Sequence, residues 1–315
     1  MYDLIGDIHG HADALERLLA KLGYRETRGA WRHPSRRVIF LGDFIDRGPR
    51  QVDAVRIARA MVDADSALAV MGNHEYNAVG WTLPNPHAPG GYLRPHNAVN
   101  RRQHQGFLDA VGVGSPLHRE LIAWFRTLPV YLERDGLRVV HACWHPASLQ
   151  SLREAWLDDG QRIRDDDAWI ALGQKHTPPY EAIETLLKGL EIPLPAGYGF
   201  TDLDGNPRHR IRTRWWATHA PTYRDLAMVS PKVIESIPHT PVPEHVLPGY
   251  HGDEPPLFLG HYWLTGTPAP LAPNIACLDY SIAAKSGSTV GPGKLAAYRW
   301  DGEPVLSADR YVWVE

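Results

Sequence analysis

Three apolar runs near the start of the chain each end in a glycine followed by an oxygen-bearing side chain, and this repetition limits the fold more than any other feature. Tyr2-Asp3-Leu4-Ile5 runs into Gly6-Asp7-Ile8-His9-Gly10, and Arg37-Val38-Ile39-Phe40-Leu41 into Gly42-Asp43-Phe44-Ile45-Asp46-Arg47-Gly48. Ala67-Leu68-Ala69-Val70-Met71 likewise runs into Gly72-Asn73-His74-Glu75. Short apolar runs closed by glycine read as buried strands. Between them, Leu15, Leu18, Leu19 and Leu22 share one face of a helix over residues 11–22, and Val52, Val55, Ile57 and Met61 repeat the pattern over 51–64. The opening is therefore β-α-β-α-β with its polar groups at one edge. In α/β proteins the carboxyl ends of strands are where ligands bind. A single Asp-x-His or Asn-His commonly closes a turn, but three in succession after three strands point to a shared site.

Composition narrows the class. A chain of 315 residues with 43% hydrophobic and 22% charged residues can bury one large core or two modest ones. The formal charge of −3 gives no overall attraction to nucleic acid or anionic membrane, and the only dense basic stretch is Arg208-His209-Arg210-Ile211-Arg212-Thr213-Arg214. No stable nucleic-acid binding is expected. Cys143 and Cys277 are too few for a disulfide framework and lie in apolar runs. With neither a leader-like start nor a membrane-length apolar run, a reduced, cytoplasmic setting and no membrane partner are expected. The eleven tryptophans read mainly as packing under long loops.

Further along, residues 80–102 carry prolines and glycines and read as irregular. His87, His96 and His104 fit no ligand spacing and read as surface histidines. Residues 117–128 read as a helix, and 130–134 and 137–140 flank Asp135-Gly136 as a hairpin ending at His141. Helical patterns at 149–157, 166–172 and 180–190 make 146–207 a helical cap insertion within a single domain spanning 1–315. Asp202-Leu203-Asp204-Gly205-Asn206 reads as a hairpin turn rather than a calcium loop, with 211–216 as its returning strand. Leu257-Phe258-Leu259 is a strand ending in Gly260-His261-Tyr262-Trp263, and 274–278 and 294–300 read as the last strands of a second sheet.

The three early segments resemble the signature motifs of calcineurin-like metallophosphoesterases, in the phosphoprotein phosphatase branch that includes serine/threonine phosphatases and diadenosine tetraphosphatases. They cover only about the first quarter of the chain. The resemblance implies an α/β four-layer sandwich, with two mixed β-sheets flanked by helices. It also implies two metal ions, drawn from Mn, Fe, Zn or Co, as suits oxygen and imidazole donors without thiolate. Carried over by motif, Asp7, His9 and Asp43 hold the first ion, and Asp43, Asn73, His141 and His261 the second. Ala142 and Cys143 replace the small residues, commonly glycines, that usually follow the histidine at 141. His219 competes with His261 as last ligand, but only His261 follows an apolar strand.

The implied reaction is hydrolysis of a phosphomonoester or phosphoanhydride by a hydroxide bridging the two ions. His74 is the implied general acid, supported by Asp46, with Arg47 clamping the phosphoryl group and Arg214 or Arg212 as a second arginine. Glu75 is expected to orient its neighbours. The substrate is a phosphorylated protein or a small nucleotide-like molecule. The alternative is a catalytically silent, metal-bearing phospholigand sensor or scaffold.

Overall fold

The computed structural model describes all residues except 202–206, 218–221, 244–245 and 285–290. β1 (Tyr2–Ile5) leads to α1 (Ala12–Leu22), a small hairpin of β2 (Arg25–Thr27) and β3 (Ala30–Arg32), then β4 (Arg37–Phe40), α2 (Gln51–Asp63) and β5 (Ala67–Ala69). Helices α3 (Asn73–Thr82), α4 (Ala98–Val111) and α5 (Pro116–Phe125) precede the hairpin β6 (Tyr131–Arg134) and β7 (Leu137–Val140). Next come α6 (Pro146–Ala155), α7 (Asp166–Gly173) and α8 (Pro178–Lys188). A run of short pieces follows: β8 (Glu191–Pro193), β9 (Phe200–Thr201), β10 (Pro207–Arg208), β11 (Arg210–Arg212) and α9 (Tyr223–Leu226). The chain closes with β12 (Leu257–Leu259), β13 (Ile275–Cys277), β14 (Asp279–Tyr280), β15 (Lys294–Trp300) and β16 (Tyr311–Val314).

Two mixed sheets form the body. The first runs β14-β15-β1-β4-β5, with β16 beside β15, and the second runs β13-β12-β7-β6. Strands β1, β4 and β5 are parallel, as are β7, β12 and β13. Strand alternation sends Tyr2, Leu4 and Ile39 to the face where they meet Val139, Phe258 and Ala276 of the second sheet, together with Tyr298 and Trp300. The opposite faces, through Ile5, Val38 and Phe40 in one sheet and Val140, Leu257 and Leu259 in the other, join the helix-lined cluster. Helices therefore cover both outer faces of a sheet pair, as expected.

Two expectations change. β15 lies beside β1 in the first sheet, and only β13 joins the second. Its seven residues pair β1 on one edge and β16 on the other. Helices α6, α7 and α8 pack into the principal core through Leu149, Leu152, Trp169, Ile183 and Leu186, while a separate small cluster forms later, from Ile192, Leu194, Ile211, Leu226, Ile237 and Val242. Finally, β11 pairs with β8. Beyond it Trp215 is buried and donates to Tyr262 Oη at 2.9 Å, and the presumed turn at 202–206 lies outside the described residues.

Candidate metal centre

Five strand ends converge on one point. His141, just past β7, donates from Nδ1 to the Leu41 carbonyl past β4 at 2.7 Å, and the His261 amide past β12 donates to Asp7 past β1 at 3.0 Å. These contacts tie the ends of the two sheets together, and the crowding they create accounts for the glycines before His261 and Asn73. A Cβ on Gly260 would overlap Asp7 Oδ1, and one on Gly72 would overlap Asp43 Oδ1. The turns are tight enough to put His9, Asp43, Asp46, Arg47, His261 and Trp263 at positive φ, between 48° and 91°, where non-glycine residues are uncommon.

The polar atoms meet without hydrogens enough to join them. His9 Nδ1 donates to the Ile45 carbonyl at 3.0 Å, so Nε2 carries a lone pair; it lies buried, 3.9 Å from Asp7 and 3.7 Å from Asp43, with no hydrogen-bond partner. Burial and the nearby His74 depress its pKa to about 3, so this imidazole is neutral. His141 commits Nδ1 to a carbonyl in the same way and turns Nε2 to Asp43 at 3.4 Å and to Asn73 Oδ1 at 3.2 Å. His261 Nδ1 also meets Asn73 Oδ1, at 2.8 Å. Only a proton or a metal cation can stand between such groups. His9, Asp43 and His74 form one mutually close donor group, and Asp43, His141 and His261 another, sharing Asp43. This nitrogen and oxygen set fits divalent cations, and both cysteines are buried and free.

Beside this cluster Asp46 is gripped from two sides. His74 Nδ1 lies 2.6 Å from one carboxylate oxygen and His104 Nδ1 lies 2.9 Å from the other, while the Asp46 amide donates to Gln51 at 2.7 Å. Burial would raise the Asp46 pKa, but the two imidazoles outweigh it and hold the carboxyl well below its usual range. Burial likewise opposes the charged form of His74, and the Asp43 and Asp46 carboxylates overcome it to raise that pKa. His104 corrects the surface assignment: it is only 2% exposed. Its signal was available, because His104, Phe107, Leu108 and Val111 share the buried face of α4 at helical spacing. His87 is exposed as expected, and His96 stacks between Trp81 and Tyr92 with ring centroids 3.8 and 4.0 Å away.

Glu75 reaches back to accept from the amides of Asp43, Phe44 and Gly72 at 2.8, 2.8 and 3.0 Å, fixing the loop that carries Asp43. Burial and Asp43 lift its pKa to about 7. Arg47 stacks on the indole of Trp263, its guanidinium carbon 4.4 Å from the ring centre. The Trp263 amide donates to the buried Asp279 at 2.7 Å. Sequence reasoning named Trp263 only as the end of the Gly260–Trp263 segment and did not single out Asp279, which carries no motif. Arg212 lies near enough to His261 to help burial hold its pKa down, and pairs with Glu191 at 3.7 Å, whereas Arg214 is exposed. His219 lies outside the described residues.

A paired-sheet α/β fold with clustered imidazole and carboxylate donors at its strand ends defines a metallohydrolase-type scaffold. The chain belongs to the calcineurin-like phosphoesterase family, which matches residues 2–197. It is 45% identical over 74 residues to the asymmetrical bis(5'-nucleosyl)-tetraphosphatase PrpE of Halalkalibacterium halodurans, covering 23% of this chain but only 30% of that protein. It is 39% identical over 207 residues to the Bacillus velezensis PrpE, covering 56% of this chain and 77% of the relative. To the symmetrical bis(5'-nucleosyl)-tetraphosphatase of Vibrio cholerae it is 26% identical over 190 residues, 60% of this chain and 61% of that one. A cold-active protein tyrosine phosphatase shares the fold, with a TM-score of 0.51 at 18% identity over 94% of this chain and 73% of its own.

Proposed function

We propose that the protein is a metal-dependent phosphoesterase of the dinucleoside polyphosphate hydrolase type. The observation that carries this reading is the pair of donor groups sharing Asp43, set against the His74–Asp46 pair. Asp7, His9 and Asp43 would hold one ion, and Asp43, Asn73, His141 and His261 the other. Two such cations activate water near neutral pH and offset the repulsion between a nucleophile and a phosphate.

The remaining work falls to side chains. His74 keeps its Nδ1–H in a hydrogen bond to Asp46, and as the imidazolium it would transfer the Nε2 proton to the departing oxygen, ending as neutral imidazole. Arg47, kept rigid on Trp263, presents its fork to the phosphoryl oxygens, and Arg212 approaches from the His261 side. Glu75 fixes backbone and takes no part in proton transfer. The relatives' names favour a nucleotide polyphosphate over a phosphorylated protein as substrate.

The test is initial rates of Mn-loaded protein on diadenosine tetraphosphate, a phosphoserine peptide and a chromogenic phosphomonoester, each beside Asp43→Asn. Preference for the dinucleotide, abolished by the substitution, is expected. Preference for the peptide would make the protein a phosphoprotein phosphatase, and no turnover on any of the three with two ions bound would leave the sensor reading standing.

A further inference from the structure

Further along α3 from the candidate centre lies a cavity of about 140 Å³, lined among others by Asn77, Arg94, Lys175, Tyr180, Glu184 and Lys188. Its place follows from α3. Asn73 and His74 open that helix, and Asn77 and Gly80 lie one and two turns further along the same side, so the cavity begins one helical turn, about 6 Å, from the Asn73 end. Charge links it to the centre from two directions. Arg94 feels the Asp46 carboxylate, and Lys188 feels Arg212, which in turn acts on His261.

The lining holds three cations and one carboxylate. Lys188 pairs with Glu184 one turn back on α8. Arg94 donates from Nη2 to the neutral amide of Gln103 at 2.9 Å, and its Nε is buried with no hydrogen-bond partner. Among the described residues no carboxylate lies within ion-pair distance of it. Burial pulls down the pKa of both Arg94 and Lys188, so each carries its charge at a cost that an anion would relieve. A fixed excess of positive charge in a recess beside a phosphate-handling centre is complementary to further phosphates.

We propose that this cavity is a subsite for the phosphate chain beyond the scissile phosphorus, which makes the substrate class a polyphosphate ester. The proposal rests on the phosphoesterase reading of the neighbouring centre. With the reacting phosphoryl group at Arg47 and His74, the next phosphates extend along the first turns of α3 toward Arg94 and Lys188. A phosphoserine peptide presents no such chain and leaves these cations unused.

The probe is inorganic tripolyphosphate, titrated calorimetrically into the metal-free full chain and compared with orthophosphate. Wild type is expected to bind tripolyphosphate at least tenfold more tightly, and Arg94→Gln with Lys188→Gln to lose that margin. Glu184→Gln, which removes the opposing charge, should tighten binding severalfold, an outcome that a purely structural role for the trio does not produce. Arg94→Lys should keep most of the margin, and unfolding curves check that each variant is folded. In the Mn-loaded enzyme the double substitution should raise KM for diadenosine tetraphosphate tenfold or more and change turnover of a chromogenic phosphomonoester less than twofold. A tripolyphosphate margin that no substitution moves overturns the subsite, as does an equal loss on both substrates or a KM effect confined to a phosphoserine peptide. If the loaded protein hydrolyses nothing while the margin and its charge dependence are present, the subsite stands and the phosphoesterase reading falls.

Discussion

His104 and His74 share one carboxylate, and the two contacts have different consequences. Removing His74 takes away the proposed acid, so His74→Asn should retain metal while turnover falls by about 10²-fold or more. Removing His104 frees Asp46 Oδ1 and lets the carboxylate rotate away from His74. His104→Ala should therefore lower kcat about tenfold, by less than loss of the acid itself, with KM little changed, and His104→Asn, which can still donate to Asp46, should recover part of the loss. Steady-state kinetics on the preferred substrate checks both. A second prediction concerns protons. In the metal-free protein, burial opposes the charged form of His141, but Asp43 and Asp7 lift its pKa to about 10. Because the folded value lies above the ordinary value of about 6.5, the proton on His141 contributes stability below that pH, and the contribution fades as pH rises through about 10. Metal bound at the proposed site would have to displace this proton, so at pH 7 loading should release at least one proton, and affinity should rise with pH. Calorimetry in buffers of different ionisation heat measures the release.

At the scale of elements, the polar groups of the centre stood out in sequence because each strand end follows an apolar run, closed by glycine in four of the five and by Val140 before His141. The glycines have a steric cause that only the packed strand ends reveal. Gly260→Ala would drive a methyl group into Asp7, so it should fold yet bind metal at least tenfold more weakly, as equilibrium dialysis would show. The helices around the centre were less legible. α3 reads poorly because its sequence, NHEYNAVGWT, lacks a polar face and has a glycine near its end. It is stabilised instead by burial and by Glu75 returning to the Gly72 amide. α4 begins at Ala98, inside the stretch read as irregular, where the prolines of 84–95 masked the Asn97 cap, whose side chain accepts from the Asn100 amide. That concealed helix is why His104 escaped notice.

For the molecule as a whole, the proposed donors come from both sheets: Asp7, His9, Asp43 and Asn73 follow strands of the first, and His141 and His261 strands of the second. Ions bound at the proposed site would tie the sheets together in addition to the apolar contacts of Leu4, Ile39 and Phe258. Free metal at about a hundredfold above Kd should stabilise the fold by about 2.7 kcal/mol. Chelation should then lower Tm in the wild type and leave Asp43→Asn almost unmoved, a comparison made by calorimetric scanning. The two-sheet architecture was expected from the strand grammar and the family resemblance together. The assignment of β15 was not, because a strand's partner depends on which edge the folded chain leaves open.

The hydrogen bond from His261 to Asp7 joins residues 254 positions apart, and β1 finds its antiparallel partner only at β15. On a ribosome, β1 is therefore made well before β15, and its outer edge waits for that distant strand. Until then an apolar strand shows unpaired amides and carbonyls to other nascent chains. The separation makes that edge a liability during synthesis, and a metal site that draws on both Asp7 and His261 would be complete only once it is closed.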